Sequence, residues 1–175
     1  MIGFRHVDSR FPFLWESAYQ PRARWHDEGE GPVQYVAETP DGAWAEFLRH
    51  EGISDPDDLA GVSRSLWAIE IPRPPRARPD TPADVLGGDE SSYPVCRAEA
   101  RRLRALGERG LTAPSAALLP GTPSGWHTDG GLRPATARDE RVLVLFGTRP
   151  GLIGWAACAE GRPRPDVLPR VRHLA

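Results

Sequence analysis

Lysine and asparagine are both missing from this 175-residue chain, and cysteine occurs only twice. All 22 basic residues are therefore arginine. Because lysine and asparagine have A-rich codons, their absence is typical of a GC-rich bacterial genome, and a single arginine is weak evidence for function. Cys96 and Cys158 lie far apart in apolar surroundings and match no metal-binding spacing such as CxxC. We expect both to pack as small apolar side chains, without a zinc site or a disulfide.

Long apolar runs are also missing. The N-terminal MIGFRHVDSRF has no apolar signal-peptide core, and no window approaches the ~20 apolar residues that a membrane span requires. The net charge of -2 and the pI near 6.2 give no support to a broad basic surface for nucleic acid or for an anionic membrane. We expect a cytoplasmic protein with neither of these partners.

What is present is typical of one globular domain. Hydrophobic residues make up 39% of the chain and charged residues 26%, which is unlike the composition of disordered proteins. The length suffices for one substantial core and is short for two. We expect residues 1–175 to form a single domain with one active or binding site.

The N-terminal half predicts two strands followed by a helix. IGFRHV at 2–7 and VQYVAE at 33–38 are strand-like and are separated by a polar loop. Thr39 is suited to cap a helix and Pro40 to occupy its first position, while Gly52 marks its end. Apolar residues then recur at helical spacing: Trp44, Phe47 and Leu48.

The remainder predicts one more long helix and several strands. An apolar stripe predicts a helix over 92–109, whereas the prolines and arginines of 72–82 predict a surface excursion without regular structure. The glycine-rich stretch 120–134 is predicted to be a long loop, in which His127 is a candidate lid residue. Strands or extended segments are predicted at 65–71, 111–119, 141–147, 152–161 and 167–174. The predicted class is therefore α+β.

Three residues able to bind a charged ligand are evenly spaced on a loop, a strand and a helix. Arg24, Tyr35 and Glu46 are separated by eleven positions and eleven again. Periodicity alone gives each a plain role: Glu46 lies opposite the apolar stripe of its helix and should be solvated, and Tyr35 should pack in the sheet. Ser115, beside a proline, is typical of a turn.

Together these segments resemble the RES domain, a family named for its arginine, glutamate and serine. The resemblance is carried by ARWHDEGEGPVQYVAET, AWAEFLRH and TAPSAALLP, and it spans roughly residues 3 to 120. The matching positions are Arg24, Tyr35, Glu46 and Ser115, and the opening FRH supplies Arg5 where the family often has an arginine. The late LNP segment of the family is not recognisable here, so the C-terminal part of the site is unassigned.

The resemblance implies an ADP-ribosyltransferase-like fold, with a mixed β-sheet core and a few flanking helices, and an enzyme that consumes NAD. Glu46 would stabilise positive charge on the ribose or activate water or phosphate for attack. Arg24 would bind the pyrophosphate, with Arg5 as a second cation. Tyr35 would stack on the nicotinamide or hold the ribose, and Ser115 would donate to ribose or carboxamide.

Trp25 and His26 are further candidates for substrate binding, since they share the loop of Arg24. The chain has no GxGxxG fingerprint and no metal-ligand cluster, so NAD would be a consumed substrate and inorganic phosphate a possible co-substrate, with no further cofactor or metal. The family also implies a toxin with a separate antitoxin protein as partner.

Alternatives remain open at this point. The same site could transfer ADP-ribose to a protein or small molecule, as a mono-ADP-ribosyltransferase does. A non-catalytic RES-like module could instead bind a protein through the arginines of 72–82 and of the long helix. A hydrolase triad built on Ser115 has no GxSxG motif to support it.

Overall fold

A computed structural model describes residues 1–123 and 125–174 of the chain. The strands are β1 Ile2–Val7, β2 Val33–Ala37, β3 Arg64–Glu70, β4 Gly110–Pro114, β5 Trp126–Thr128, β6 Leu132–Pro134, β7 Arg141–Phe146 and β8 Ile153–Gly161. The helices are α1 Pro40–Glu51, α2 Ala83–Gly87 and α3 Tyr93–Ala105, and shorter 3-10 helices are Pro56–Gly61, Glu90–Ser92 and Pro165–Arg170.

Six of the strands form the main sheet, in the order β4-β7-β2-β1-β3-β8. The predicted α+β class is confirmed. Each pair of neighbouring strands in this sheet is antiparallel, where a mixture of directions was expected. Antiparallel neighbours need only a short connection. Several connections in this chain are much longer than that, and these longer segments build the layers that cover the sheet. No helix in the described part of the chain is long and apolar enough to cross a membrane.

The helices lie on one face of the sheet in two separate units, and the junction between the units, at Arg24, Glu46 and Arg49, is called the cleft below. On this face α1 packs against β1 and β2, whereas α2 and α3 pack against β4. Phe4 and Ala37 belong to the cluster beneath α1, and Val33 and Tyr35 to the cluster beneath α3. The opposite face is covered by the loop after β1, which contributes Leu14 to a third cluster. β2 therefore forms the floor between the two helical units.

Helix α1 begins and ends as its sequence predicts. Thr39 Oγ1 accepts a hydrogen bond from the Gly42 amide at 3.0 Å, and Gly52 adopts a left-handed conformation with φ of 67° at the other end. The buried Glu140 carboxylate accepts the amides of Glu38 and Thr39. A Cβ at Gly42 would collide with that carboxylate. These contacts fix the N-terminal end of α1 against the start of β7. Glu46, one of the candidate site residues, lies in the middle of the same helix.

Four expectations need correction. The stretch 167–174 is not a strand: Pro165–Arg170 is a 3-10 helix with Pro169 inside it, followed by one bridge between Val171 and Leu118. A proline has no amide to donate to a strand ladder, which explains the error.

Within 120–134, β5 and β6 form a hairpin where a loop was expected, and residue 124 lies outside the described residues. The long helix ends at 105, not 109. Cys158 is exposed, while Cys96 is buried as expected.

The proline- and arginine-rich segment 72–82 is free of helix and strand, which confirms the prediction. It runs along the edge strand β4. The Thr112 amide donates to Ala77 O at 2.8 Å, and the Thr112 hydroxyl donates to Pro75 O at 2.8 Å. The segment thus occupies backbone groups that an edge strand would otherwise offer to another chain.

Candidate active site

A carboxylate and a hydroxyl meet where β4 ends beside α1. Ser115 follows β4 directly, and its Oγ donates to Glu46 Oε1 at 3.3 Å. The same oxygen accepts the amides of Ala117 and Leu118, each at 3.1 Å. A serine hydroxyl has one proton and two lone pairs, so these bonds use its whole capacity. Ser115 therefore shapes the turn, as its neighbouring proline indicates, and also fixes the Glu46 carboxylate.

Glu46 is half-buried, so the expectation of a solvated glutamate is wrong. A helical wheel considers only α1, whereas the environment of this side chain includes the turn after β4 and the arginines described below. Burial raises the pKa of Glu46, while the charges of Arg24 and Arg49 and the Ser115 hydroxyl oppose that rise. The carboxylate is thus poorly hydrated, and the nearby cations favour its charged form. A charged carboxylate with little hydration is suited to stabilise positive charge on a ligand.

Arg24 reaches from the loop before β2 to the ends of α2 and α3. It is only 8% exposed, and its guanidinium donates to Val85 O at 3.2 Å, Gly88 O at 2.7 Å and Ser92 Oγ at 3.2 Å. It also lies 4.6 Å from the centre of the Tyr93 ring, a cation–π distance. These contacts hold the planar fork of Arg24 in one orientation beside Glu46.

Arg49 is a site residue that the sequence analysis missed. It lies three residues after Glu46 on α1, hence on the same side of the helix, and it is 5% exposed. Its Nη2 donates to Gly88 O at 2.6 Å, the same oxygen that Arg24 binds, and its Nη1 donates to Ala116 O and to Arg172 O. Burial lowers the pKa of Arg49, and Arg24 lowers it further. The signal was the spacing from Glu46, which the abundance of arginine obscured.

Tyr35 lies on the floor of the cleft, with Trp25 and His26 beneath it. Its hydroxyl accepts the Trp25 amide at 3.0 Å and is hydrogen-bonded to His26 Nδ1 at 3.0 Å. Burial raises the pKa of Tyr35, and the Glu46 charge adds to the rise, so the phenol stays neutral. Trp25 and His26 are 3% and 2% exposed. The Trp25 indole packs in the core under α3. Neither Trp25 nor His26 therefore reaches the surface of the cleft, where substrate-binding side chains were expected.

Arg5 lies on the other face of the sheet. Phe4 packs against the α1 cluster, and successive side chains of a strand alternate between faces, so Arg5 points away from α1. Its Nη1 donates to Gln34 Oε1 at 2.6 Å, and burial lowers the pKa of Arg5 to about 10. The structure therefore does not bring Arg5 to Arg24, where a second cation was expected; Arg49 occupies that position.

Open recesses of the surface lie away from this group. One of about 340 Å³ is lined by Phe47 and Arg64, and another of about 240 Å³ lies beside Arg76 and Arg78. The cleft at Glu46 is filled by the protein's own guanidinium groups, so a ligand there must replace some of their bonds to carbonyls. Among residues 1–123 and 125–174 no group of His, Cys, Asp and Glu side chains is arranged to hold a metal ion.

Comparison with known proteins identifies the family and the fold of the chain. A family model described as the RES domain matches residues 3–152. The chain belongs to the RES domain family. A chain from the crystal structure of the M. tuberculosis MbcT-MbcA toxin-antitoxin complex has the same fold, with a TM-score of 0.63 and 16% identity over 98% of this chain and 88% of that chain. No curated protein matches the sequence.

The RES family match extends beyond the motifs recognised in the sequence, which ended near residue 120. It takes in β7 and stops just before β8. The Pro165–Arg170 helix and the residues after it therefore lie outside the match, although Arg172 contacts Arg49 in the cleft. One wall of the site comes from a part of the chain that the family model does not describe.

Proposed function

We propose that this RES domain consumes NAD by cleaving the bond between nicotinamide and ribose. The observation that carries the proposal is the Glu46 carboxylate, held at 3.3 Å by the Ser115 hydroxyl and faced by two buried arginines in the cleft between α1 and α3. A desolvated carboxylate with fixed orientation is suited to a cationic sugar, and arginine forks are suited to the diphosphate that NAD also carries.

Cleavage requires the enzyme to stabilise positive charge on the ribose. The pyridine nitrogen leaves with the electron pair of the glycosidic bond, and neutral nicotinamide departs while the anomeric carbon becomes oxocarbenium-like. Glu46 stabilises that charge. An oxygen of water or phosphate then forms the new bond to this carbon, and the proton that water loses passes to the Glu46 carboxylate and on to solvent. The raised pKa of Glu46 favours accepting this proton.

The neighbouring residues bind and orient in this proposal. Arg24 binds the diphosphate, which replaces some of the bonds of its guanidinium to Val85 O and Gly88 O. The neutral Tyr35 phenol supports the ribose end of the substrate from the floor. Ser115 acts through Glu46 as a positioning residue, because its proton and both lone pairs are engaged within the protein.

The first test is nicotinamide release from NAD by the purified chain, by Glu46→Gln and by the matched surface control Glu51→Gln at the end of the same helix. We expect wild type and Glu51→Gln to release nicotinamide at equal rates, and Glu46→Gln to be slower by about 100-fold or more, the usual cost of losing a group that stabilises charge in a transition state. No release by the wild-type chain, with or without inorganic phosphate, would reject the proposal.

The acceptor is identified by NAD labelled in the ribose next to nicotinamide. Free labelled ADP-ribose identifies water as acceptor, and a phosphorylated product that appears only with phosphate identifies phosphorolysis. Label retained on a protein or small molecule would instead establish a mono-ADP-ribosyltransferase. Absence of both turnover and NAD binding would favour a protein-binding module.

We further propose that the chain acts as the toxin of a toxin-antitoxin pair and has a separate antitoxin partner. The support is membership of the RES family and the fold shared with a chain of the MbcT-MbcA toxin-antitoxin complex. Expression in bacteria without a partner should arrest growth and deplete NAD, while Glu46→Gln at equal abundance should do neither. Arrest by both proteins would separate toxicity from NAD cleavage.

A further inference from the structure

Three arginines converge on two backbone oxygens in the cleft. Arg24 and Arg49 both donate to Gly88 O, at 2.7 and 2.6 Å. Arg49 also donates to Ala116 O, and the Nη1 of Arg172 lies 3.4 Å from that same oxygen. The three guanidinium groups thus share acceptors from the end of α2 and from the turn after β4.

None of these arginines has a carboxylate partner in the described part of the chain, although eight other arginines form ion pairs there. Two carboxylates interact with the group from greater distance. Glu46 is one, and the hydrogen bond of its carboxylate is to Ser115 and not to an arginine. Asp89 is the other, and its exposed carboxylate accepts the amide and hydroxyl of Ser91. The group therefore carries more positive charge than its surroundings neutralise.

The excess positive charge is unfavourable for the stability of the folded protein, and a bound anion would remove this cost in free energy. Arg24 and Arg49 are almost fully buried, and taking a guanidinium out of water is unfavourable unless it is paired. Carbonyl oxygens satisfy some of the N–H donors but carry only partial charge. A phosphate group offers full negative charge and oxygens that match the arginine fork bidentately.

Arg172 extends the group toward solvent. It is half-exposed, whereas the other two arginines are buried. The backbone places it firmly: its amide donates to Ala117 O at 2.7 Å, and the preceding Val171 is bridged to Leu118. Among residues 1–123 and 125–174 its side chain makes one hydrogen bond, which is long at 3.4 Å, so most of its five N–H donors are open to a ligand there.

We propose that Arg49 and Arg172 join Arg24 in one binding site for phosphate groups, with Arg172 at its entrance. The ligand is the diphosphate of a dinucleotide or free inorganic phosphate, which share the same chemistry. This site would bind the phosphate part of the substrate in the proposed NAD cleavage. The inference depends on the proposed function only for the identity of the natural ligand. The C-terminal segment, although outside the RES family match, would then contribute directly to substrate binding.

The test measures the binding of inorganic pyrophosphate, inorganic phosphate and ADP-ribose by calorimetry at constant ionic strength. Arg172→Gln is compared with Arg162→Gln, which removes the same charge from an exposed position on the same C-terminal stretch. We expect Arg172→Gln to weaken the affinity for at least one of these anions about tenfold or more, corresponding to one charge-assisted hydrogen bond, and Arg162→Gln to change it by less than about twofold. Arg172→Lys, which keeps the charge but not the fork, should fall between them.

Competition between pyrophosphate and ADP-ribose would identify the ligand as the diphosphate of the dinucleotide. Binding of phosphate alone, without competition from ADP-ribose, would identify the site of an acceptor phosphate. The proposal is overturned if wild type binds none of the three anions, or if Arg172→Gln and Arg162→Gln bind all of them equally. Nicotinamide release is scored separately, so anion binding through Arg172 without NAD cleavage would retain this site and reject the proposed function.

Discussion

The arginines of α3 and the arginines of the cleft use the same side chain in opposite ways. On α3, Arg101 pairs with Glu30, and Arg102 pairs with Glu99 at 2.7 Å. In the cleft, Arg24 and Arg49 donate to carbonyl oxygens and lack a carboxylate partner among the described residues. An arginine neutralised at the surface needs no ligand, whereas Arg24 and Arg49, which share Gly88 O as an acceptor, are proposed above to bind an anion.

This difference explains why counting arginines is uninformative in this chain. A composition without lysine places guanidinium groups at every basic position, whatever their role. Only the three-dimensional structure separates those with acidic neighbours from those without.

Replacing Arg49 by methionine should destabilise the fold by about 2 kcal/mol, because Ala116 O, Gly88 O and Arg172 O each lose a donor in a buried place. Arg102→Met, the matched change in the solvent-exposed pair with Glu99, should destabilise the fold clearly less. Urea denaturation of both variants measures the difference. Equal losses would show that the cleft arginine holds the structure no more than a surface arginine does.

The pH dependence of stability should have opposite signs for Glu46 and Glu99. Burial raises the pKa of Glu46, so its contribution to stability is present below the unfolded pKa of about 4.3 and is lost as pH rises through the folded value. The Arg102 hydrogen bond lowers the pKa of Glu99, so that contribution is present above about 4.3 and is lost as pH falls.

Two differences in the free energy of unfolding are measured over a pH series. The first is wild type minus Glu46→Gln, and the second is wild type minus Glu99→Gln. The first difference should decrease as pH rises above about 4.3, and the second should decrease as pH falls below it. The effect is small, since one pKa unit corresponds to about 1.4 kcal/mol. Slopes of the same sign would contradict the distinction between a desolvated and a paired carboxylate.

Local features of the fold were predictable from the sequence. Thr39, Pro40 and Gly52 set the ends of α1 because capping depends on neighbouring residues alone. The extended segment predicted over 111–119 is a strand only as far as Pro114, where β4 ends. The 3-10 helix at Pro165–Arg170 was missed because its apolar residues imitate a strand while its prolines prevent one.

The site was predictable only in part. The sequence named Glu46, Arg24 and Ser115, and the structure brings these together in one cleft. It gave no sign that Arg5 would lie on the far face, because that depends on which strands pair. It gave no sign of Arg172 either, because a contact with Arg49 over 123 positions follows from tertiary folding and not from any local pattern.

We propose that Glu46 acts on the bound substrate and does not merely hold the cleft in shape. The most direct test measures NAD affinity and the rate of nicotinamide release on the same preparation of Glu46→Gln. We expect an affinity within about threefold of wild type and a kcat lower by about 100-fold or more, since the carboxylate stabilises a charge that exists only in the transition state. Nicotinamide release at the wild-type rate, or a loss of affinity that accounts for the whole loss of rate, would contradict it.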